Sequence, residues 1–204
     1  MCDMGELSSK VRSKISEYLG FDVNVLYNNG DPYIFGGCVR DSIADQEIHD
    51  VDILVLPKTF HYLKFFLPSI GYFESKMISK DIMSMYEGIR IINEPISFIN
   101  NDGKIIQLIR PNFKSINDRA SVLEFLSQVD LGCCGVTYVP GEVIETSDSA
   151  IIQCRSKKFF VYHSNKMVHR NRIYMRISKL ESRGWKEVNK EDKRDLIIDY
   201  INEN

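Results

Sequence analysis

The chain has 204 residues, 44% of them apolar and 26% charged, with a formal net charge of −2; this is enough for one well-buried domain, or a domain with a small appendage, and it excludes a disordered chain. No apolar run approaches the length of a membrane span, and Met1-Cys2-Asp3-Met4-Gly5-Glu6 lacks the basic-then-apolar pattern of a secretory signal, so a cytoplasmic protein with no membrane partner is expected. The five cysteines have no paired-ligand spacing and Cys133 and Cys134 are adjacent, which reads as small buried apolar residues rather than a disulfide framework or a zinc site.

The small net charge conceals an asymmetry. Residues 1 to 154 carry 13 Lys+Arg against 21 Asp+Glu, whereas residues 155 to 194 carry 13 against 4. A basic segment of this kind points to contact with polyphosphate or nucleic acid, or else to a charge-rich solvated helix.

In chain order, Ser8 or Ser9 is expected to cap a first helix whose apolar face is Val11, Ile15, Tyr18 and Leu19, ending at Gly20. Asn28-Asn29-Gly30-Asp31-Pro32 is a turn, and Tyr33-Ile34-Phe35 a short buried strand delivering Gly36-Gly37. Two glycines allow a tight turn and a close backbone approach to phosphate, and Cys38-Val39-Arg40-Asp41 opens a helix whose N-terminus attracts anions. Nine residues after Asp41, Asp50-Val51-Asp52 leads into Ile53-Leu54-Val55-Leu56. On a strand Asp50 and Asp52 project from one face, and two aligned carboxylates can hold a hard divalent cation together with the phosphates of a substrate. Taken alone, Asp-x-Asp is more often a surface loop.

Further along, Thr59 to Leu67 is a helix candidate after the break at Pro57-Lys58. Ile89 to Ile92, Ile96 to Ile99 and Lys104 to Ile109 read as strands, the last two joined by a turn at Asn100 to Gly103. Ser115 to Ser127 is a helix, and Pro140-Gly141 turns a hairpin onto Glu142-Val143-Ile144. Ser147-Asp148-Ser149 offers a cap for a helix through Arg155, and Phe159 to Tyr162 is a strand or core segment. From Ser164 to Arg183, Ile173, Ile177 and Leu180 repeat at helical spacing, while Arg172, Arg176, Lys179 and Arg183 fall on a neighbouring face. This stripe reads either as a grip for triphosphate or RNA or as a solvated face. Trp185, after Gly184, either packs the helix onto the domain or stacks on a base. Asp192 to Ile201 is a short amphipathic helix.

The span Gly36-Gly37-x-Val39-Arg40-Asp41-x-Ile43, followed by Asp50-Val51-Asp52-Ile53-Leu54-Val55, resembles the signature of the head domain of CCA-adding enzymes and bacterial poly(A) polymerases, in the DNA polymerase beta nucleotidyltransferase superfamily. Ile43-Ala44-Asp45 stands where that family usually has Leu-Leu-Gly. Asp130 to Tyr138 is similar to the family segment D-[FL]-T-x-N-A-M-A-Y, which would set Asp130 beside a nucleotide ribose. Here Gln128 and Val129 replace two arginines and Cys134 the asparagine. The alternative for Asp130 is a cap on the preceding helix. Many members of the superfamily carry a third carboxylate on a later strand, where this chain has Gln107.

The resemblance implies an α/β (α+β) fold, a mixed-sheet nucleotidyltransferase head with flanking helices and a C-terminal helical segment. It divides into a head over 1–146 and a basic helical extension over 147–204. Compact relatives from viruses and phages are similar in carrying a D-L-x-C-C segment. The activity implied is transfer of a nucleoside monophosphate from an NTP to an acceptor hydroxyl, most naturally a tRNA-like RNA 3′ end. Asp50 and Asp52 would hold Mg2+ or Mn2+ and act catalytically with Asp130, and Gly36, Gly37, Arg40, Asp41, Arg172, Arg176, Lys179 and Arg183 would bind the nucleotide. A protein partner or a second copy would supply acceptor-binding surface that so short a chain lacks. Two alternatives stand beside this: a non-catalytic nucleotide- or RNA-binding module or assembly subunit, and nucleotidylation of a protein or small molecule.

Overall fold

Asp3, rather than Ser8 or Ser9, opens the first helix: its carboxylate accepts from the Gly5 N–H at 2.8 Å and satisfies a donor that the helix leaves unpaired. Helix α1 (Met4–Leu19) thus begins a turn earlier than the serines imply, and Ser8 faces inward with Leu7, Val11, Ile15, Tyr18 and Leu19. Gly20 ends it in the left-handed conformation, with φ +78°. The computed structural model describes residues 3–76, 92–111, 118–162 and 170–188.

Strands β1 (Tyr33–Phe35), β2 (Asp50–Leu54), β3 (Phe73–Glu74), β4 (Ile92–Ile99), β5 (Ile105–Pro111), β6 (Val136–Val139) and β7 (Glu142–Glu145) form one mixed sheet in the order β3-β4-β5-β2-β1-β6-β7. Within this sheet, among the described residues, the β2–β5 pairing is parallel and the other pairings are antiparallel. The two runs expected around Ile92 and Ile96 to Ile99 are one strand interrupted by an irregularity between Asn93 and Ile96. Pro95 lies there, and a residue without an N–H cannot continue the ladder; residues 89–91 lie outside the described residues.

The helices are α2 (Gly37–Ile43), α3 (Pro57–Ser69), α4 (Arg119–Ser127), α5 (Ala150–Ser156) and α6 (Arg170–Glu181). Pro57 does not break the chain but serves as the first residue of α3, where its missing N–H has no partner to lose. Helix α4 starts at a capping box between Asp118 and Ser121, later than Ser115; residues 115–117 lie outside the described residues. Ser149 occupies the position before α5 at φ +55° without a side-chain cap. The expected helix 192–201 and the stretch 164–169 also lie outside the described residues.

Period-two alternation on β2 sends Val51 and Ile53 into the main core and leaves Asp50 and Asp52 on the opposite face. That core runs from α1 and α2 to Cys154, Phe159, Leu180 and Trp185, so residues on both sides of position 146 share it. A smaller cluster of Tyr33, Leu54, Val122 and Leu126 packs α4 onto the far end of the aspartate face. After α6, Lys186 and Glu187 pair in parallel with Lys158 and Phe159 as β9 and β8. This pins the exit of α6 to the exit of α5.

Candidate functional site

The site grows from the edge between β1 and β2. Phe35 lies opposite Asp52 in the register, so the chain leaves the sheet at Gly36-Gly37 directly beside the aspartate pair. Gly36 has φ +72° and ψ −129°, a region open only to glycine, and its carbonyl accepts the Arg40 N–H at 3.0 Å to start α2. Gly37 is ordinary helix. A β-carbon there would meet only Arg40 Nη2, at 3.6 Å.

At the other end of α2, Asp45 adopts φ +53°. Aspartate tolerates that region better than most residues, and Lys10 and Lys14 hold its carboxylate at 2.6 and 3.5 Å. The turn between α2 and β2 is therefore made without a glycine.

Asp52 Oδ1 is withdrawn from solvent and has no hydrogen-bond partner. Burial first, and then the charge of Asp50, push the Asp52 carboxyl well above its usual range, while Arg176 and Lys179 pull the other way. Gln107 is the direct neighbour of Asp52 across the parallel β2–β5 register, and its Nε2 donates to Asp50 Oδ2 at 3.2 Å. The cluster is thus two carboxylates and an amide, and among the described residues no three His, Cys, Asp or Glu side chains gather into a metal-binding group. An orphaned, desolvated carboxylate oxygen beside a second carboxylate is the donor set of a hard cation that takes its remaining ligands from phosphate or water.

The basic stripe divides. Arg183 donates to Asp41 Oδ2 at 3.0 Å and to the Glu47 carbonyl at 2.9 Å. Asp41, almost fully buried, also accepts from Arg40 Nε at 2.7 Å and Nη2 at 2.9 Å. Arg40, Asp41 and Arg183 are therefore engaged with one another inside the protein. Arg176 turns to Asp130 Oδ1, with which it forms an ion pair. Lys179 is exposed and, with Tyr174, Met175, Ser178 and Ser182, lines a shallow cavity of about 520 Å³ on the outer face of α6. The side chain of Arg172 lies outside the described residues. Asp130 does not cap α4, which ends at Gln128 with its N–H on the Phe125 carbonyl.

Trp185 packs. It is buried, donates from Nε1 to Gln46 Oε1 at 2.6 Å and lies under the Arg40 guanidinium, 5.5 Å from the ring centroid. Gln46 returns a bond from Nε2 to the Arg183 carbonyl at 2.8 Å. No sequence signal singled out Gln46, because its role exists only once α6 has docked.

The cysteines also divide. All four described are free and buried, and burial pushes Cys38, Cys133 and Cys154 up. Cys134 does not behave as an apolar residue: it accepts from Arg40 Nη1 at 3.2 Å and Arg176 Nη2 at 3.5 Å. A hydrogen bond from Cys133, and then the two guanidinium charges, outweigh its burial and bring it down to about 5.

No family model and no curated protein matches the sequence. Solved structures do. The Thermotoga maritima CCA-adding enzyme complexed with tRNA matches 99% of this chain and 46% of its own, with 18% identity and a TM-score of 0.58. A CCA-adding enzyme with CTP matches with the same identity and coverage at a TM-score of 0.60. The fold is that of a CCA-adding enzyme head. A tRNA nucleotidyltransferase complexed with a primer tRNA and an incoming ATP analog matches 94% of this chain and 50% of its own, with 16% identity and a TM-score of 0.54. The chain with this nucleotidyltransferase head fold spans about half the length of the solved structures it matches. No helix among its described residues is long and apolar enough to cross a membrane.

Proposed function

We propose that the protein transfers a nucleoside monophosphate from an NTP to the terminal hydroxyl of an RNA, with a tRNA-like 3′ end as acceptor, and that Asp50 and Asp52 hold Mg2+ or Mn2+ for the reaction. The observation that carries this reading is the orphaned Oδ1 of Asp52 beside Asp50, at the mouth of the Gly36-Gly37 turn in a nucleotidyltransferase head fold. A divalent ion bound there would neutralise charge on the phosphates and orient the attacking oxygen.

The chain's own residues account for the rest. Asp52 would offer its desolvated Oδ1 to the cation, whose charge would favour the ionised carboxylate, and Gln107 keeps Asp50 oriented through its amide. Lys179 contributes positive potential at the aspartates from the exposed side of α6, where a phosphate chain has access. Arg176, held by Asp130 and Cys134, adds to the same field. A strand of RNA leaving the site would cross the outer face of α6, where Tyr174 is 67% exposed and offers a ring for stacking.

The neutral Gln107 favours a second reading, a nucleotide-binding module without catalysis. Incubation with α-labelled NTPs, Mg2+ and either total RNA or tRNA trimmed at its 3′ end separates the readings. Label in RNA is the expected result. Label in protein, or nucleotide binding with no transfer to any acceptor, overturns it.

A further inference from the structure

Six side chains from three distant stretches of sequence form one alternating line of charge. Arg183 donates to Asp41, Arg40 donates to both oxygens of Asp41 and through Nη1 to Cys134 Sγ, and Arg176 donates through Nη2 to the same sulfur and through Nη1 to Asp130. Every second link is a guanidinium. The links between are carboxylate, sulfur, carboxylate, and the sulfur, on a residue only 3% exposed, is the one not ordinarily an anion. Guanidinium groups can only donate, so the sulfur accepts twice, and with a neutral thiol two like charges would converge on it without a counter-charge between them.

We infer that Cys134 is a resident thiolate, the third anion of this chain, and acts as a positioning residue that clamps α6 to the head and holds Arg176 and Lys179 toward the aspartate pair. Cys154, equally buried, lacks the bonds to both guanidiniums and its thiol is pushed up by burial, while Cys134 is pulled down by a hydrogen bond from Cys133 and then by the two guanidinium charges. The groups that face the sulfur are Arg40 from α2, Arg176 from α6, and Cys133 and Asp130 from its own segment; Asp52 on β2 is raised in turn by its charge. Deprotonation gives the line three cations and three anions and sets a counter-charge between Arg176 and the buried Arg40. The role of the clamp in nucleotide binding rests on the proposed function; the ionisation and the clamp itself do not.

The test uses the full chain. Absorbance at 240 nm near pH 7 should show one thiolate in the folded wild type, lost in Cys134→Ser and lost on unfolding at the same pH, where a cysteine returns to its ordinary range. Cys134→Asp and Cys134→Asn are matched in shape and differ in charge. The Asp variant should melt near wild type and bind Mg2+·ATP with near wild-type affinity, while the Asn variant should melt lower and bind about tenfold more weakly. Absence of the 240 nm band, or equal melting of the Asp and Asn variants, overturns the inference. If the wild type binds no nucleotide, the proposed function fails, and the band and the melting pair still decide the clamp. Should the Asp variant not fold, the band and its loss in Cys134→Ser decide alone.

Discussion

Gln107 lies directly across the parallel register from Asp52 and hydrogen-bonds the other aspartate at 3.2 Å. An amide there stabilises two neighbouring carboxylates that a third charge would repel. Gln107→Glu should therefore tighten Mg2+ binding and lower metal-free stability at neutral pH by about 1–2 kcal/mol, from like-charge repulsion and the lost donor. Thermal melts with and without Mg2+ check this; equal destabilisation in both conditions would mean that the position does not face the cation.

Asp52 sets a pH dependence. Its folded-state value lies above the ordinary 3.8, through burial and the charge of Asp50, so the folded state holds the proton more tightly than the unfolded chain. Stability from this group is full below about pH 4 and declines as pH rises through the folded value. The melting difference between metal-free Asp52→Asn and wild type should therefore grow on going from pH 4 toward neutrality. Asp52→Asn should lack that decline, melting above wild type at pH 7 but not at pH 4, while nucleotidyl transfer falls by roughly a hundredfold or more. Parallel pH–melting curves for the two proteins would refute the assignment.

The basic stripe should separate by experiment as it does in space. Lys179→Gln should reduce the slope of log K against log salt for RNA by about one unit and leave the melting temperature in place. Arg183→Gln should do the reverse: it removes a partner of buried Asp41 and should cost roughly 2–4 kcal/mol, with the salt slope unchanged. Titrations at three salt concentrations together with melting curves distinguish the two. If Arg183→Gln flattened the slope, Arg183 would be meeting phosphate.

The two glycines should also differ. Gly36→Ala places a β-carbon on a residue at φ +72° and ψ −129° and should destabilise the fold by about 1–3 kcal/mol. Gly37→Ala has room within the protein and favourable helix propensity, so its stability should hold. A loss of nucleotide affinity by calorimetry in folded Gly37→Ala would then be due to the phosphates themselves. Unchanged affinity would remove Gly37 from the phosphate seat.

What the sequence determined on its own is local. The spacing of Asp50 and Asp52 on a strand places both on one face whatever surrounds them, because side chains alternate along an extended backbone. Gly36-Gly37 marks the turn, and the motif with its following apolar run points to the head fold. The helix cap at Asp3 was also present in the chain, but Ser8 and Ser9 are equally good capping types nearer the apolar face, and the bond from the Gly5 N–H to the Asp3 carboxylate decides between them. The left-handed turn kept by Asp45 depended on Lys10 and Lys14, which come from a separate helix.

The tertiary structure alone decided the fate of the charges. Arg172, Arg176, Lys179 and Arg183 are alike by helical spacing, and nothing in that spacing says that Asp41 will hold Arg183, that Asp130 and Cys134 will hold Arg176, or that Lys179 will remain exposed. Cys134 shows the same limit most sharply. A cysteine in an apolar stretch reads as a small hydrophobe, and it becomes an acceptor for two guanidiniums only because α2 and α6, separated by more than a hundred residues of sequence, converge on it. Ionisation is set by the field of neighbours brought together in folding, and a linear pattern does not contain that field.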